Sequence, residues 1–230
     1  MMEPHKAPAR MPPGERLADR LDVRTTPKPT SARTAAVASL REVGRLDLAV
    51  YRAIADTPTP TLDHWMRRLS DAADRSRLWL VIATVIAAAG GGDGRRAAGA
   101  GLVAVVVDSA VVNVGFKIAA HRRRPDRDKA GVPAVRQVPM PHSTSFPSGH
   151  AASAFAFANA VGQTLPAVAA PVRLLASAVS YSRIHTGVHY PSDVVVGAVI
   201  GASVGEVVGW GLGRLHAVYR ACEPARLMRK

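Results

Sequence analysis

The chain has 230 residues, of which 48% are hydrophobic but only 5% aromatic, and its formal net charge is +13. The length suits a single domain, and the positive charge indicates an anionic partner such as a nucleic acid, a membrane surface or a phosphorylated substrate. The one cysteine, Cys222, excludes an intramolecular disulfide framework and any metal site built from several cysteines.

The first 77 residues are polar and precede the apolar part of the chain. Residues 1–35 are basic and rich in proline, and they lack the apolar core of a signal peptide, so we expect them to be disordered. Residues 36–77 carry two apolar stripes at helical spacing, separated by Thr-Pro-Thr-Pro at 57–60. These stripes predict amphipathic helices that lie on the membrane surface.

Residues 78–213 are predicted to form the membrane-embedded domain, an all-α helical bundle. About five segments are apolar enough to be membrane helices, namely Leu78–Gly92, Ala97–Ala120, Ala151–Ala170, Val172–Tyr181 and Val194–Leu212. A turn is predicted at Gly90–Arg96, a long basic loop at His121–Ser145 and a basic C-terminal tail at residues 214–230. The expected fold is therefore an integral membrane bundle preceded by amphipathic helices.

Several polar residues and glycines interrupt these apolar segments. Asp108, Asn113 and Lys117 fall in the second segment, and polar residues at such depth usually lie inside a bundle or serve a function. The fifth segment has glycine at every fourth position, at 197, 201, 205, 209 and 213, which predicts close packing against a neighbouring helix. Glu206 on this segment is expected to face the interior, near Asn159 or another polar group.

The stretch from Ser182 to Asp193 concentrates the residues with chemical potential. Arg183 offers a planar cation suited to phosphate oxygens. His189 can act as a nucleophile near neutral pH, and Asp193, four residues later, can hold one imidazole nitrogen in its N–H form. The pattern favours a histidine–aspartate nucleophile pair with a phosphate-binding arginine beside it.

A metal site is the alternative for the same stretch. His185, His189 and Asp193 are spaced four residues apart, as zinc ligands on one helix are. Pro191 argues against a continuous helix, because proline favours the first position of a new one. His185 is then expected in the preceding loop, away from any face shared with Asp193.

Two further motifs precede this stretch. Lys117 and Arg124, seven residues apart, would share one helix face and could clamp a phosphate, although basic runs beside apolar helices more often set membrane topology. Ser148, Gly149 and His150 open an apolar segment, where backbone N–H groups and the helix dipole form an anion site and His150 can donate a proton. A plain helix N-cap and a hydrolase with Ser148 as nucleophile are the alternatives, and the second lacks the expected glycine two residues earlier.

Taken together, the motifs Lys-x6-Arg-Pro, Pro-Ser-Gly-His and Ser-Arg-x5-His-x3-Asp resemble the type 2 phosphatidic acid phosphatase superfamily, the lipid phosphate phosphatases. The resemblance runs from about Leu46 to Leu212, and every signature position matches. It implies that His189 attacks phosphorus to form a phosphohistidine, that Asp193 orients it, and that His150 protonates the leaving group and then activates water. It implies phosphate binding by Lys117, Arg124, Arg183, Ser148 and the Gly149 backbone. No metal and no other cofactor is implied.

The richness in Ala, Arg, Gly and Val indicates a bacterial chain. The resemblance implies a metal-independent membrane phosphatase that acts on a polyprenyl diphosphate, phosphatidate or phosphatidylglycerophosphate. The partners expected are the lipid substrate and the bilayer, with no nucleic acid. The rivals are a non-catalytic basic protein that binds membranes or nucleic acid, a metal-dependent phosphoesterase that uses His185 and His189, and a vanadium haloperoxidase, which shares the anion-site motifs.

The multi-pass topology has two readings. The basic tail favours a cytosolic C-terminus, which places the active site on the extracytoplasmic face of the cell membrane. With five crossings the basic N-terminal region would also lie outside, contrary to the positive-inside rule. Either the N-terminal helices re-enter the membrane or Leu78–Gly92 does not fully cross.

Overall fold

The structure, a computed structural model, describes residues 31–116 and 121–227. It is built from helices, and the described residues contain no β-strand, which confirms the all-α prediction. The chain divides into two compact units, Met1–Val50 and Tyr51–Lys230, and the second holds all of the residues discussed below for chemistry.

The α-helices, numbered along the chain, are α1 (Ala32–Asp56), α2 (Pro60–Ala72), α3 (Arg77–Ala89), α4 (Gly91–Ala110), α5 (Gly149–Thr164), α6 (Pro166–His185) and α7 (Pro191–Leu227). Short 3-10 turns occur at Asp74–Ser76 and Ala134–Arg136, and α4 continues as a π-helix over Val111–Phe116.

The two predicted amphipathic helices are present as α1 and α2, and the predicted break separates them. Pro60 occupies the first turn of α2, where its missing N–H costs no hydrogen bond. Helix α1 begins at Ala32, inside the segment predicted to be disordered, because Ser31 and Thr34 bond each other reciprocally: Thr34 N donates to Ser31 Oγ at 3.2 Å and Ser31 N to Thr34 Oγ1 at 2.9 Å. Residues 1–30 lie outside the described residues.

The turn predicted over Gly90–Arg96 is wrong in extent. Helix α3 ends at Ala89 and α4 begins at Gly91, so only Gly90 stands between them. The reversal is this tight because Gly94 has no side chain: a Cβ there would lie 2.2 Å from the Ile86 carbonyl oxygen. Asp93 to Arg96 therefore form the first turns of α4.

Helix α5 is the central helix of the second unit and packs against α4, α6 and α7. Its side chains toward α4 and α6 are alanines with Phe157 and Val161, and Phe157 stacks on Trp79 of α3 at 5.3 Å between ring centroids. The predicted segment Ala151–Ala170 is wrong as one helix. The chain breaks at Leu165, because Pro166 starts α6, while Pro171 is accommodated inside α6.

Helix α7 confirms most of the predicted glycine ridge. A Cβ at Gly197, Gly201 or Gly205 would lie 2.4, 1.9 or 2.5 Å from a carbonyl oxygen of Ser148, Ala152 or Ala156, so the two backbones are in direct contact. A Cβ at Gly209 would meet Gln163 at 3.0 Å, but one at Gly213 would meet nothing within 4 Å. The prediction was therefore right for four glycines and wrong for Gly213.

Helix α7 continues to Leu227, so the described part of the basic C-terminal tail is helical, whereas residues 228–230 lie outside the described residues. The prediction for Glu206 on this helix is wrong. Glu206 is exposed and accepts a hydrogen bond from Gln163 at 2.7 Å. It does not face the interior, because α7 turns its glycine ridge inward and leaves the charged residue outside. Asn159 instead accepts a hydrogen bond from Arg173 at 2.9 Å.

Two helices in the described ranges are long and apolar enough to cross a membrane. Gly91–Phe116 has a mean hydropathy of 1.9 and Pro191–Cys222 one of 1.7. The outward side of α7 supports contact with lipid, since Val199, Val207 and Trp210 are 61%, 69% and 61% exposed. The number of crossings in the full bundle stays a prediction.

Candidate active site

The described residues of the three sequence motifs meet at the end of the second unit where α5 and α7 begin and α6 ends. The link between the last two motifs is a backbone hydrogen bond, in which Ser148 N donates to the Asp193 carbonyl at 2.9 Å. The short turn 186–190 joins α6 to α7 and holds His189. Gly187 is required in this turn, because its φ is +73° and a Cβ would lie 2.9 Å from the Tyr51 hydroxyl.

His189 is almost fully buried between a carboxylate and a guanidinium group. Its Nδ1 lies 3.5 Å from Asp193 Oδ2, and its Nε2 lies 3.1 Å from Arg124 Nη1. The first distance is longer than a full hydrogen bond but keeps the carboxylate beside Nδ1. The pKa of His189 is lowered to about 4, chiefly by burial and also by the cations Arg124 and Arg183, while Asp193 acts to raise it. The imidazole is therefore neutral at neutral pH, as a nucleophile must be.

Asp193 is fixed from several sides. Arg122 Nη1 lies 2.7 Å from Oδ1, and Oδ2 accepts hydrogen bonds from the Ser145 hydroxyl and from Tyr190 N, the latter at 3.0 Å. The Arg122 guanidinium also lies over the Tyr190 ring, 4.3 Å from its centroid. A carboxylate held this way has one orientation available toward His189.

Arg122 and Ser145 are site residues that the sequence analysis missed. The signal for Arg122 was the run of three arginines at 122–124, in which the motif spacing singled out only Arg124. Ser145 lies three residues before Ser148 and carried no pattern of its own. Both act through tertiary contacts, which spacing along the chain does not reveal.

Arg124 is clamped by the loop that precedes α5. Its Nε donates to the Ser143 carbonyl at 2.9 Å, Nη2 to the Thr144 carbonyl at 3.2 Å and Nη1 to the Val188 carbonyl at 3.1 Å. Burial lowers the pKa of Arg124, but a guanidinium remains charged at any physiological pH. The contacts hold this cation next to His189 Nε2.

Arg183 supplies a second buried cation near His189 from the last turn of α6. It is 3% exposed, and its Nη1 donates to the Ser70 hydroxyl in α2. Its Nε has no hydrogen-bond partner within the described ranges 31–116 and 121–227. A buried guanidinium that keeps an N–H group unused is suited to an anionic ligand.

The Pro-Ser-Gly-His motif begins α5 as expected. Ser148 is the N-cap and is fully buried, and its hydroxyl accepts from Ala151 N at 3.5 Å, which confirms the helix-cap interpretation. Helix α5 starts at Gly149, so the backbone amides there face the site end of the bundle. His150 Nε2 lies 3.7 Å from Asp74 Oδ1. Lys117, the remaining predicted phosphate ligand, lies outside the described residues.

His185 belongs to a different cluster from His189. Its Nε2 lies 2.9 Å from Asp63 Oδ1, and Arg136 Nε lies 2.7 Å from the same oxygen, with all three side chains buried. Burial acts to raise the pKa of Asp63, but bonds from Thr59 and His185 and the charge of Arg136 lower it below its usual value. The cluster ties α2, α6 and the turn at 134–136 together.

The position of His185 tests the alternative of a metal site formed by His185, His189 and Asp193 on one helix. Helix α7 begins at Pro191 and α6 ends at His185, which confirms the predicted break between the two. The expectation that His185 lies in the loop before α7 is wrong, because it is the last residue of α6. His185 therefore shares no helix with Asp193, and it is engaged by Asp63. Within the described part of the chain, no group of three or more His, Cys, Asp or Glu side chains is arranged to hold a metal ion.

Comparison with known proteins gives one consistent result. Residues 97–215 match the PAP2 superfamily. Decaprenylphosphoryl-5-phosphoribose phosphatase of Mycobacterium tuberculosis (strain H37Rv) is 37% identical over 177 residues, which cover 74% of this chain and 91% of the relative. The protein of the same name from Mycolicibacterium smegmatis is 36% identical over 65% of this chain and 78% of its own length.

Two solved structures are similar in fold. The crystal structure of Aquifex aeolicus LpxE has a TM-score of 0.56 and 26% identity, and the match covers 71% of this chain and 94% of the other. A transmembrane PAP2 type phosphatidylglycerolphosphate phosphatase from Bacillus subtilis has a TM-score of 0.58 over 75% of this chain and 86% of its own. At 23% identity the second similarity concerns the fold alone.

Proposed function

This chain belongs to the PAP2 superfamily and is a phosphatase that acts on lipid phosphates, and from this premise we propose that it works through a phosphohistidine on His189, without a metal. The observation that carries the proposal is the setting of His189: a neutral buried imidazole with Asp193 beside Nδ1 and the Arg124 guanidinium 3.1 Å from Nε2.

The first chemical step uses the different surroundings of the two ring nitrogens of His189. Because Asp193 faces Nδ1, the proton stays on Nδ1 and the lone pair of Nε2 points to the cations. Nε2 attacks phosphorus, the bond from phosphorus to the leaving oxygen breaks, and His150 gives its proton to that oxygen. Arg124, Arg183, Lys117 and the α5 terminus at Ser148 and Gly149 would bind the phosphate oxygens and stabilise the charge that develops on them.

The second step regenerates the enzyme. His150, now neutral, takes a proton from a water molecule as its oxygen attacks phosphorus. The bond from Nε2 to phosphorus then breaks, and inorganic phosphate leaves. No redox change occurs, and the proton that His150 donated in the first step is recovered in the second.

The relatives add a further candidate substrate. Two of them are named for a decaprenylphosphoryl-5-phosphoribose, a sugar phosphate on a prenyl lipid. We therefore place a lipid-linked sugar phosphate beside phosphatidylglycerophosphate, phosphatidate and polyprenyl diphosphate as the candidate substrates.

We also propose the membrane arrangement. The domain limits would be 1–35, 36–77, 78–213 and 214–230, and the five helices α3 to α7 would each cross or enter the bilayer, with the site on the extracytoplasmic face. Support comes from the apolar residues exposed on α3 and α6, where Val81, Val85 and Leu174 are 61%, 60% and 71% exposed. Helix α3, with 13 residues, is only about 20 Å long, so it would reach across only with the help of its flanking residues.

The test is phosphate release from a panel of these lipids in detergent, with and without EDTA. We expect release in both conditions for the wild type, and a loss of more than about a thousandfold for His189→Ala. His142→Ala, a change at an exposed histidine of the neighbouring loop, is the control and should keep wild-type activity. Loss of release in EDTA would overturn the metal-free route and favour the phosphoesterase alternative that uses His185 and His189.

A further inference from the structure

A cavity of about 170 Å³ is lined by His150. Its wall is formed by α4 with the π-helix after it, by the first turns of α5 and by the connection between α2 and α3. His150 lines it, whereas His189, Arg124 and Arg183 do not. In an in-line displacement the leaving group departs opposite the nucleophile, on the side of the acid. Because His150 is proposed to protonate the leaving oxygen, the cavity that His150 lines can take the leaving alcohol.

Asp108 is the unusual residue of this wall. Its side chain is fully buried, and Oδ1 has no hydrogen-bond partner within the described ranges 31–116 and 121–227. Oδ2 has one long contact, from the Ser153 hydroxyl at 3.4 Å. A buried carboxylate without donors is costly, so its presence indicates that a donor from outside the chain completes it.

Among the described residues of the lining, Arg75 is the one cation, but its side chain is 77% exposed and its Nε lies 3.7 Å from Asp74 Oδ2. The other polar lining groups suit hydroxyl groups rather than a second phosphate. Ser153 is one turn after His150 on α5, so the two share a face. Asn113 and Ser109 are paired on the opposite wall, with Asn113 Nδ2 donating to Ser109 Oγ at 3.1 Å. These groups can donate and accept hydrogen bonds, and the Asp108 carboxylate would repel an anion.

The connection between α2 and α3 is strained where it meets the cavity. Arg75 and Ser76 have φ of 51° and 60°, the left-handed region that non-glycine residues rarely adopt. Such strained conformations tend to persist at functional sites. The cavity volume of about 170 Å³ equals that of roughly five or six liquid waters, which is enough for a glycerol or pentose group.

We propose that this cavity binds the polyol from which the phosphate is removed, and that Asp108 accepts a hydrogen bond from one of its hydroxyls. The inference rests on the proposed function and refines its substrate class: a phosphomonoester on a hydroxylated headgroup, such as a glycerol or a sugar, is preferred over phosphatidate and over a prenyl diphosphate, whose leaving group is itself an anion. Asp108 is thus a specificity-determining residue.

The test compares two lipids with each protein. Phosphatidylglycerophosphate has a free hydroxyl next to the phosphorylated carbon, and phosphatidate has none. We expect wild-type kcat/KM to favour the first, and Asp108→Ala to lower the ratio of the two values at least tenfold. The ratio does not depend on how much of each preparation is folded. Asp93→Asn, which changes an exposed carboxylate at the other end of α4, should leave it unchanged.

Asp108→Asn and a stability measurement guard against a purely structural effect. Removing an unpartnered buried carboxylate should leave the Tm in detergent equal to or above that of the wild type, and the isosteric amide should keep part of the preference. An unchanged ratio in both variants, or no preference in the wild type, would overturn the inference while His189-dependent phosphate release left the proposed function standing. Release that persists in His189→Ala, or no release from either lipid by the wild type, would overturn both.

Discussion

His189 shows how burial sets the chemistry of a single residue. With its pKa lowered from 6.5 to about 4, the imidazole binds its second proton only below about pH 5, so the neutral form persists through the mildly acidic range. A histidine with an ordinary pKa would lose half of that form by pH 6.5. In the unfolded chain the His189 pKa returns to its ordinary value, so the unfolded state binds the proton more readily than the folded state. The folded state therefore loses stability as the pH falls from about 6.5 to about 4.

NMR titration of histidine-labelled protein in detergent can check this value. The signal of His189 can be identified by its absence in His189→Gln. We expect its chemical shift to remain that of a neutral imidazole until the pH approaches 4. A midpoint near 6.5 for His189 would contradict the buried setting described here.

Arg122 gives a second prediction at the residue scale. Because it fixes Asp193, Arg122→Ala should lower kcat about 10- to 100-fold with a smaller effect on KM, as for other residues that orient a catalytic group. Arg123→Ala, one residue away and exposed, is the matched control and should be near wild type. Equal activities of the two variants would remove Arg122 from the site.

The spacing of the motifs could predict which candidate site residues lie together, but not which contacts hold them in place. The motif positions placed His189, Asp193 and Arg124 correctly together. The donors to Asp193 come from residues 48 and 71 positions away, at Ser145 and Arg122, and His185 is bound by Asp63, 122 positions away. Contacts of this kind depend on how helices dock, which no local pattern encodes.

At the scale of elements, helix breaks were predictable where proline or glycine acts alone and were misplaced where several compete. Pro60 and Pro191 start helices as expected. Pro166 and Pro171 both offered a break, and the chain uses the first, while the glycine-rich stretch at 90–94 holds one sharp reversal instead of a loop. The choice in each case depends on packing against α5 or α3.

The contact between α5 and α7 provides the test at this scale. A Cβ at Gly201 would lie 1.9 Å from the Ala152 carbonyl oxygen, so Gly201→Ala must push the two helices apart. We expect a loss of about 2–3 kcal/mol in unfolding free energy, seen as a lower Tm in detergent. Gly213→Ala meets nothing within 4 Å and should be neutral or stabilising by up to about 1 kcal/mol. Similar stabilities for the two variants would contradict the close backbone packing.

At the scale of the whole molecule, orientation in the membrane is the open prediction. Cys222 is the single cysteine and is exposed near the end of α7, opposite the site. In intact cells a membrane-impermeant maleimide should label it only after permeabilisation. The second protein carries Lys129→Cys together with Cys222→Ser. Lys129 lies in the loop after Arg124 and its side chain is 84% exposed, so the new cysteine should be labelled without permeabilisation. The reverse pattern would place the active site in the cytosol.

The covalent intermediate tests the central claim most directly. Enzyme mixed with a lipid substrate radiolabelled in the phosphate, and stopped by denaturant in alkali within the first turnover, should carry label on the protein. That label should withstand alkali and be released by acid, as expected for a phosphorus–nitrogen bond. His142→Ala should carry it and His189→Ala should not. Phosphate release by the wild type without any labelled protein, or label that persists in His189→Ala, would contradict the phosphohistidine mechanism.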